Sequence, residues 1–202
     1  APCTSEPRAT GSIERSDAIV RTAFVSTYPP RQCGIATFTH RLAAATGNRE
    51  IVALHPPEQA SPYPIEVHHR IRRDEPADYA RAARGVSECV DVVSIQQESG
   101  IWGGKDGASV IDFVRALRVP MIATLHDVLR TPTLGQREIL VELVSRAAAT
   151  VVMSRSAATL LTTAYGIDAR TLDLIPHGVP DLPLVDPETA KPALGLEGRM
   201  VI

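Results

Sequence analysis

Residues 90–125 read VDVVSIQQESGIWGGKDGASVIDFVRALRVPMIATL, and this segment contains two apolar stretches separated by a loop and a helix. Val90–Ile95 and Met121–Leu125 are apolar nearly throughout, which is typical of strands that are covered on both faces. Ala108–Leu117 is predicted to be the helix between them. Two strands joined in this way form a βαβ unit, in which the strands are parallel and the crossover is right-handed.

The same alternation of strands and helices continues in both directions from this unit. It predicts an α/β fold, with a Rossmann-like parallel sheet flanked by helices. The other predicted strands are Ala18–Ser26, Glu50–Leu54, Glu66–Ile71, Thr150–Met153 and Thr171–Ile175, and the other predicted helices are Ile35–Thr46, Asp78–Ser87, Gly135–Ala148, Ser154–Tyr165 and Pro187–Leu194.

The ends of the chain differ in character from the middle. Residues 1–17 are rich in Pro, Ser, Thr and charge, and are predicted to be a disordered tail. Residues 18–198 are predicted to form one domain. Residues 199–202 are predicted to be the start of another strand. This apolar run is too short to pair fully in a sheet, so we expect it to start a second domain.

Composition excludes several classes of protein. Of 202 residues, 44% are hydrophobic, which is enough for a folded core. With 21 basic and 23 acidic residues the net charge is -2, so we expect neither a nucleic-acid partner nor an anionic membrane surface. No apolar run approaches the roughly 20 residues of a membrane span, and the N-terminus does not resemble a secretory signal.

Three cysteines, Cys3, Cys33 and Cys89, are far apart and form no CxxC pair. They lack nearby histidines at the spacing of zinc ligands, so no bound metal or cofactor is predicted. Free thiols are typical of proteins in the reducing cytoplasm, which is the predicted location.

Polar or glycine-rich residues follow five of the predicted strands. Ligands of open parallel sheets bind at the carboxyl ends of the strands, so these residues are expected to gather on one binding edge. In chain order the candidates for binding or catalysis are Gly34, Glu98, Gly100, His126, Arg155 and His177.

Most of these candidates also have a purely structural interpretation. Gly34 either relaxes a turn or lets helix N–H groups face a phosphate or sugar oxygen. His126 is either a structural histidine or a hydrogen-bonding partner of a sugar hydroxyl. Glu98 is a solvated charge or orients a substrate hydroxyl, Arg155 binds an anion or covers its helix, and His177 is a turn residue or a ligand contact.

Two common motifs of α/β proteins are missing. The loop after the first strand lacks G-x-G-x-x-G, and the second strand ends at Leu54-His55 without the acidic residue that holds a ribose. These departures disfavour an ordinary dinucleotide-binding domain. The chain also lacks the G-x-S-x-G sequence of the α/β-hydrolases.

The loops after the strands resemble those of retaining glycosyltransferases of family 4. The matching motifs are STYPPRQCGIATF (26–38), QQESGIWGG (96–104), TLH (124–126), VMS (152–154) and IPHGVP (175–180). The resemblance implies a GT-B fold, in which two Rossmann-like domains face each other across a cleft. This chain is then the N-terminal, acceptor-side domain, and the nucleotide-sugar donor binds mainly to a C-terminal domain that follows it. By itself the chain is expected to be an inactive fragment.

The resemblance also implies roles for individual residues. His126 is expected to contact the donor sugar near the reacting carbon, and Gly34 to let the first loop approach the diphosphate. Glu98 and Gly100 are expected to line the side of a sugar or glycoside acceptor. The implied reaction transfers a hexosyl group with retention and usually needs no metal. The alternatives are a non-catalytic sugar- or nucleotide-binding domain and, less favoured, an unrelated Rossmann-like nucleotide binder.

Overall fold

The computed structural model describes residues 20–47, 50–59, 61–179 and 183–201, and within them the chain forms a sheet of seven parallel strands. The strands are β1 (Thr22–Ser26), β2 (Glu50–His55), β3 (Val67–Arg72), β4 (Val92–Gln97), β5 (Met121–Leu125), β6 (Ala149–Val152) and β7 (Leu172–Leu174). The helices are α1 (Gly34–Thr46), α2 (Pro76–Ser87), α3 (Ser109–Ala116), α4 (Leu134–Arg146), α5 (Arg155–Leu160) and α6 (Pro187–Ala190). The predicted α/β class and Rossmann-like parallel sheet are therefore confirmed.

The strands lie in the order β3-β2-β1-β4-β5-β6-β7. The chain builds outward from β1 to β3 and then returns to the other side of β1 to place β4. This reversal between β1 and β4 is the point at which open α/β sheets usually bind ligands.

Several predicted boundaries differ from the structure. β4 extends to Gln97, so its last two residues were wrongly assigned to the following loop. The helix α5 ends at Leu160 and continues as a π-helical turn over Leu161–Tyr165. Residues 199–201 form no strand, which contradicts the predicted start of another one. The predicted tail (1–17), Ala18, Ile19 and Ile202 lie outside the described residues.

Alternation along the strands divides the core between the two faces of the sheet. On one face, Val25, Val93 and Ile95 pack in a single cluster with buried side chains of α2, α3 and α4. On the other face, Phe24 and Ile51 join a smaller cluster with α1. Right-handed crossovers explain this division, because the steps from β3 to β7 all run in one direction and the step from β1 to β2 runs in the opposite one.

The strands were expected to be covered on both faces, and this expectation is only partly correct. On the face that carries α1, side chains of β4, β5 and β6 line an open groove together with α1. Ile122 of β5 and Val151 of β6 are only half-buried there. The sequence of a strand gives its apolar content, whereas the direction of each crossover decides which face receives a helix.

A buried carboxylate joins β3 to the start of α2. Asp78 is only 1% exposed and accepts hydrogen bonds from the backbone N–H, Nε and Nη2 of Arg72 at 3.1, 2.8 and 2.9 Å. Arg81 is a further donor to the same carboxylate. Hydrogen bonds from Arg72 hold the pKa of the Asp78 carboxyl well below its usual range, so the group stabilises the fold as a carboxylate.

Replacing Asp78 by asparagine is expected to lower the free energy of unfolding at pH 7 by about 2 kcal/mol, because hydrogen bonds to a charged acceptor are lost. The pKa of Asp78 is lower in the folded than in the unfolded state. The wild type is therefore more stable than the variant above the unfolded pKa of about 4, and this difference in the free energy of unfolding declines as the pH falls below it. Urea unfolding of both proteins between pH 7 and pH 3 measures this difference. Asp74→Asn is the matched control: Asp74 is exposed and paired with Arg73, so little change is expected at any pH. If both variants lower the free energy of unfolding equally, the stabilisation does not come from the buried carboxylate of Asp78.

Candidate functional site

An open groove of about 990 Å³ lies on the α1 face of the sheet and reaches its carboxyl edge. Three of the predicted site residues line it, and each belongs to a different strand-to-helix or strand-to-loop connection: Gly34 follows β1, His126 follows β5, and His177 follows β7. The other residues that matter here are Phe38, Arg41, Ser94, Thr124, Met153 and Gly178. Gly34 and His177, which are 143 positions apart in the numbering, therefore share one concave surface.

The first loop places Gly34 at the start of α1. Cys33 is the N-cap residue, and its Sγ accepts a hydrogen bond from the N–H of Ala36 at 3.4 Å. The same sulfur contacts Thr27 Oγ1 at 3.3 Å, which ties the helix start back to the end of β1. A Cβ added to Gly34 meets no atom within 4 Å, so the space above this backbone is open. A ligand oxygen can thus approach the helix N-terminus closely.

His126 is held by contacts on three sides. Its backbone N–H donates to the carbonyl of Gln97 at 2.8 Å, and its ring Nε2 lies 2.9 Å from Gln96 Oε1. The ring packs in a T-shaped arrangement with Phe38 of α1, with the ring centroids 4.8 Å apart and an interplanar angle of 87°. The imidazole is therefore fixed between β4 and α1 and faces the groove.

The environment of His126 keeps its imidazole neutral. Burial is the main cause and the neighbouring His177 the second, and together they lower the pKa of His126 from 6.5 to about 4, against a smaller opposing effect of Asp127. At pH 7 the ring is thus uncharged. It can exchange hydrogen bonds with a hydroxyl group, but it does not supply a positive charge to a diphosphate.

His177 also contacts Phe38. The two ring centroids are 5.3 Å apart, and His177 Nδ1 is 2.7 Å from the carbonyl oxygen of Gly178. Because a carbonyl only accepts, Nδ1 donates in this contact and Nε2 remains available to a ligand. His177 is exposed, so this side of the groove is open to solvent.

Glu98 and Gly100 lie on the loop after β4 and do not line the groove. The residue between them, Ser99, donates to Asp127 from its backbone N–H at 3.3 Å and from its hydroxyl at 2.9 Å. This contact joins the loops that follow β4 and β5. Glu98 and Gly100 are therefore on the same carboxyl edge as His126, but outside the space that it shares with Gly34.

Arg155 is the first residue of α5, is exposed, and does not line the groove either. Its neighbours Ser154 and Ser156 line a second open cavity of about 510 Å³, which also includes His126. His126 thus stands between the two cavities. The structure brings Arg155 to the same edge of the sheet without a contact to the other candidates.

Two further residues of the site were not predicted from the sequence. Gln96 was placed in a loop, whereas it is fully buried in β4 and contacts His126. Phe38 lies in the predicted helix Ile35–Thr46, and its contact with two histidines was not foreseen. A glutamine at the end of an otherwise apolar strand was the available signal for Gln96, while nothing in the spacing marked Phe38.

The described residues contain no group of three or more His, Cys, Asp or Glu side chains arranged to hold a metal ion. Among the helices in the described part of the chain, none has the length and apolar character needed to cross a membrane.

Comparisons with known proteins agree with this architecture. The model of the family described as Glycosyltransferase Family 4 matches residues 33–181. No sequence among the curated proteins matches the chain. A crystal structure of a glycosyltransferase from Rickettsia africae ESF-5 is similar in fold, with a TM-score of 0.55 and 16% sequence identity. The similarity covers 87% of this chain and 49% of the Rickettsia chain, so the present chain spans about half the length of that protein.

Proposed function

The chain belongs to glycosyltransferase family 4, and from this premise we propose that it forms the N-terminal, acceptor-side domain of a GT-B enzyme. The enzyme transfers a hexosyl group from a nucleotide-sugar to a sugar or glycoside acceptor, and retains the anomeric configuration. The observation that carries this proposal is the convergence of Gly34, His126 and His177 on one groove at the carboxyl edge of the sheet.

The chemistry of the groove suits the binding of a sugar. Transfer breaks the bond between the anomeric carbon and the diphosphate oxygen and forms a bond to the acceptor oxygen, whose proton leaves with the diphosphate. The transition state carries positive charge on the sugar ring, and negative charge develops on the leaving diphosphate. The open helix N-terminus at Gly34 offers N–H groups to that negative charge, and neutral His126 hydrogen-bonds a sugar hydroxyl.

The proposal assigns the rest of the nucleotide-sugar site to a second, C-terminal domain. The greater length of the Rickettsia chain, about half of which is matched, supports this assignment. Glu98 and Gly100, on the neighbouring loop, are proposed to face the acceptor, and Arg155 is proposed to contact an anionic group of a substrate. A cytoplasmic location is part of the proposal and is supported by the free thiols of Cys33 and Cys89.

The reaction is tested by incubating the enzyme with a panel of nucleotide-sugars and simple glycosides and recording the anomeric proton signals of the products. A product with the anomeric configuration of the nucleotide-sugar supports the proposal, and an inverted product contradicts retention. Binding without turnover, in an enzyme that contains both domains, favours a non-catalytic binding protein. Preferential binding of a plain dinucleotide favours an unrelated nucleotide-binding domain.

Replacing Gly34 by valine is expected to lower kcat/KM by about 100-fold, because the new side chain fills the open space over the helix N-terminus and displaces the nucleotide-sugar. The fold has room for the side chain, so we expect the free energy of unfolding to change by less than about 1 kcal/mol. Steady-state kinetics and urea unfolding measure the two quantities. Ala45→Val, at an exposed position of the same helix, is the control and is expected to keep full activity. Full activity of the Gly34 variant rules out a close approach of substrate here.

A further inference from the structure

Gln96 connects the interior of the sheet to His126. It is the penultimate residue of β4, and its side chain is fully buried. Its amide Nε2 donates to Ser94 Oγ at 3.2 Å, and its Oε1 lies 2.9 Å from His126 Nε2. Both ends of the amide are thus engaged, and burial prevents the side chain from turning out to solvent.

The orientation of this amide determines where the imidazole carries its proton. A carbonyl oxygen only accepts hydrogen bonds, so the ring nitrogen that faces it must be the donor. A neutral imidazole has one N–H, which places it on Nε2 and leaves the lone pair on Nδ1. Nδ1 makes no hydrogen bond within the described residues, and it is not buried. Its lone pair is therefore accessible from solvent.

We propose that Gln96 is a positioning residue that holds His126 in the Nε2–H tautomer, so that Nδ1 accepts a hydrogen bond from a hydroxyl of the bound sugar. The identity of the ligand rests on the proposed function, whereas the tautomer is a property of the free protein. The other groups that surround the imidazole are consistent with an uncharged acceptor. His177 and Asp127 act on it in opposite directions, and Phe38 contributes an apolar ring.

An amide suits this role better than a carboxylate. An ionised side chain at position 96 would stabilise the imidazolium form, in which both ring nitrogens are donors and neither can accept. Glutamine accepts the Nε2 proton without titrating. It therefore preserves the acceptor at Nδ1 over the whole range of pH in which the protein is folded and His126 is neutral.

The first experiment records the tautomer of His126 by two-bond ¹⁵N–¹H correlation spectra of the chain with ¹⁵N-labelled histidine at pH 7. The wild-type chain is expected to show Nε2 protonated and Nδ1 unprotonated. The opposite tautomer overturns the proposal without the need for any variant.

Two variants test the role of the amide itself. Gln96→Leu removes the acceptor and is expected to produce a mixture of the two tautomers. Gln96→Glu keeps the shape and is expected to raise the midpoint of the His126 titration by about 1 to 3 pH units, as an opposite charge at this distance does. Gln97→Leu is the matched control, because the side chain of Gln97 is also buried, at 4% exposure, and makes no hydrogen bond to His126. The backbone carbonyl of residue 97, which accepts from the N–H of His126, is kept in this variant. In this control, the tautomer and the titration midpoint of His126 should match those of the wild type.

The functional consequence is measured separately in the active enzyme. Gln96→Leu is expected to lower kcat by about 10-fold or more with little change in KM for the acceptor, and Gln97→Leu to change neither. If the tautomer of His126 is altered in Gln96→Leu but the kinetics remain those of the wild type, the proposed use of Nδ1 is overturned. Absence of glycosyl transfer in every protein, the wild type included, refutes the proposed function instead, while the tautomer spectra still decide the role of Gln96.

Discussion

Replacing His126 by alanine is expected to lower the turnover of the active enzyme by about 100-fold, which corresponds to about 2.7 kcal/mol of transition-state stabilisation. The substitution removes the imidazole that lines the groove and that we propose hydrogen-bonds the sugar. It also removes the hydrogen bond to Gln96 and the edge-to-face contact with Phe38, which together contribute about 1 to 2 kcal/mol to folding.

This loss of stability is too small to explain the expected loss of turnover. A domain with a typical free energy of unfolding, about 5 kcal/mol or more, stays almost completely folded after losing 2 kcal/mol. Turnover under saturating substrate and urea unfolding, measured on the same preparation, separate the two effects. His68→Ala serves as the control, because His68 is exposed on β3, pairs with Glu50 and lies outside the groove. Unchanged turnover in the His126 variant contradicts the role assigned to this residue.

Replacing Gly103 by alanine is expected to lower the free energy of unfolding by about 3 kcal/mol or more, the largest effect on stability of any change considered. The added Cβ would lie 1.9 Å from the carbonyl oxygen of Arg73 and 2.9 Å from the hydroxyl oxygen of Tyr79. The obstacle is backbone, so it cannot move aside as a flexible side chain does. The clash also opens the hydrogen bonds that run from Gly103 N–H to the Tyr79 hydroxyl (2.9 Å) and from there to Arg73 (2.7 Å).

Gly100, on the same loop, provides the comparison. Its added Cβ would approach only Glu98 Oε1, at the ordinary contact distance of 3.5 Å. Gly100→Ala is therefore expected to change the free energy of unfolding by less than about 1 kcal/mol. Equal midpoints in urea for both variants would show that the loop after β4 does not pack against the start of α2 as described.

The sheet was predictable because its physical cause is visible along the chain. Short apolar runs such as Val90–Ile95 and Met121–Leu125, separated by helices, have few other ways to bury their side chains than a parallel sheet. The gathering of Gly34, His126 and His177 follows from the same topology, since parallel strands all end at one edge. The chemical roles of these residues remain predictions.

The details that the sequence did not give depend on partners from distant elements. Gln96 is an unusual residue for a buried strand, and its burial is tolerated because Ser94 and His126 satisfy its amide. Similarly, no local pattern shows that Glu98 and Gly100 lie outside the groove. The contact between Ser99 and Asp127 determines the course of that loop, and it joins residues 28 positions apart.

Hydrogen–deuterium exchange of the enzyme, with and without a nucleotide-sugar and an acceptor, tests most directly whether the three connections form one substrate site. We expect simultaneous protection of the segments 34–38, 126–128 and 176–179 when both substrates are bound. If exchange in these three segments does not change, and protection appears only on the opposite, helix-covered face of the sheet, the account is contradicted.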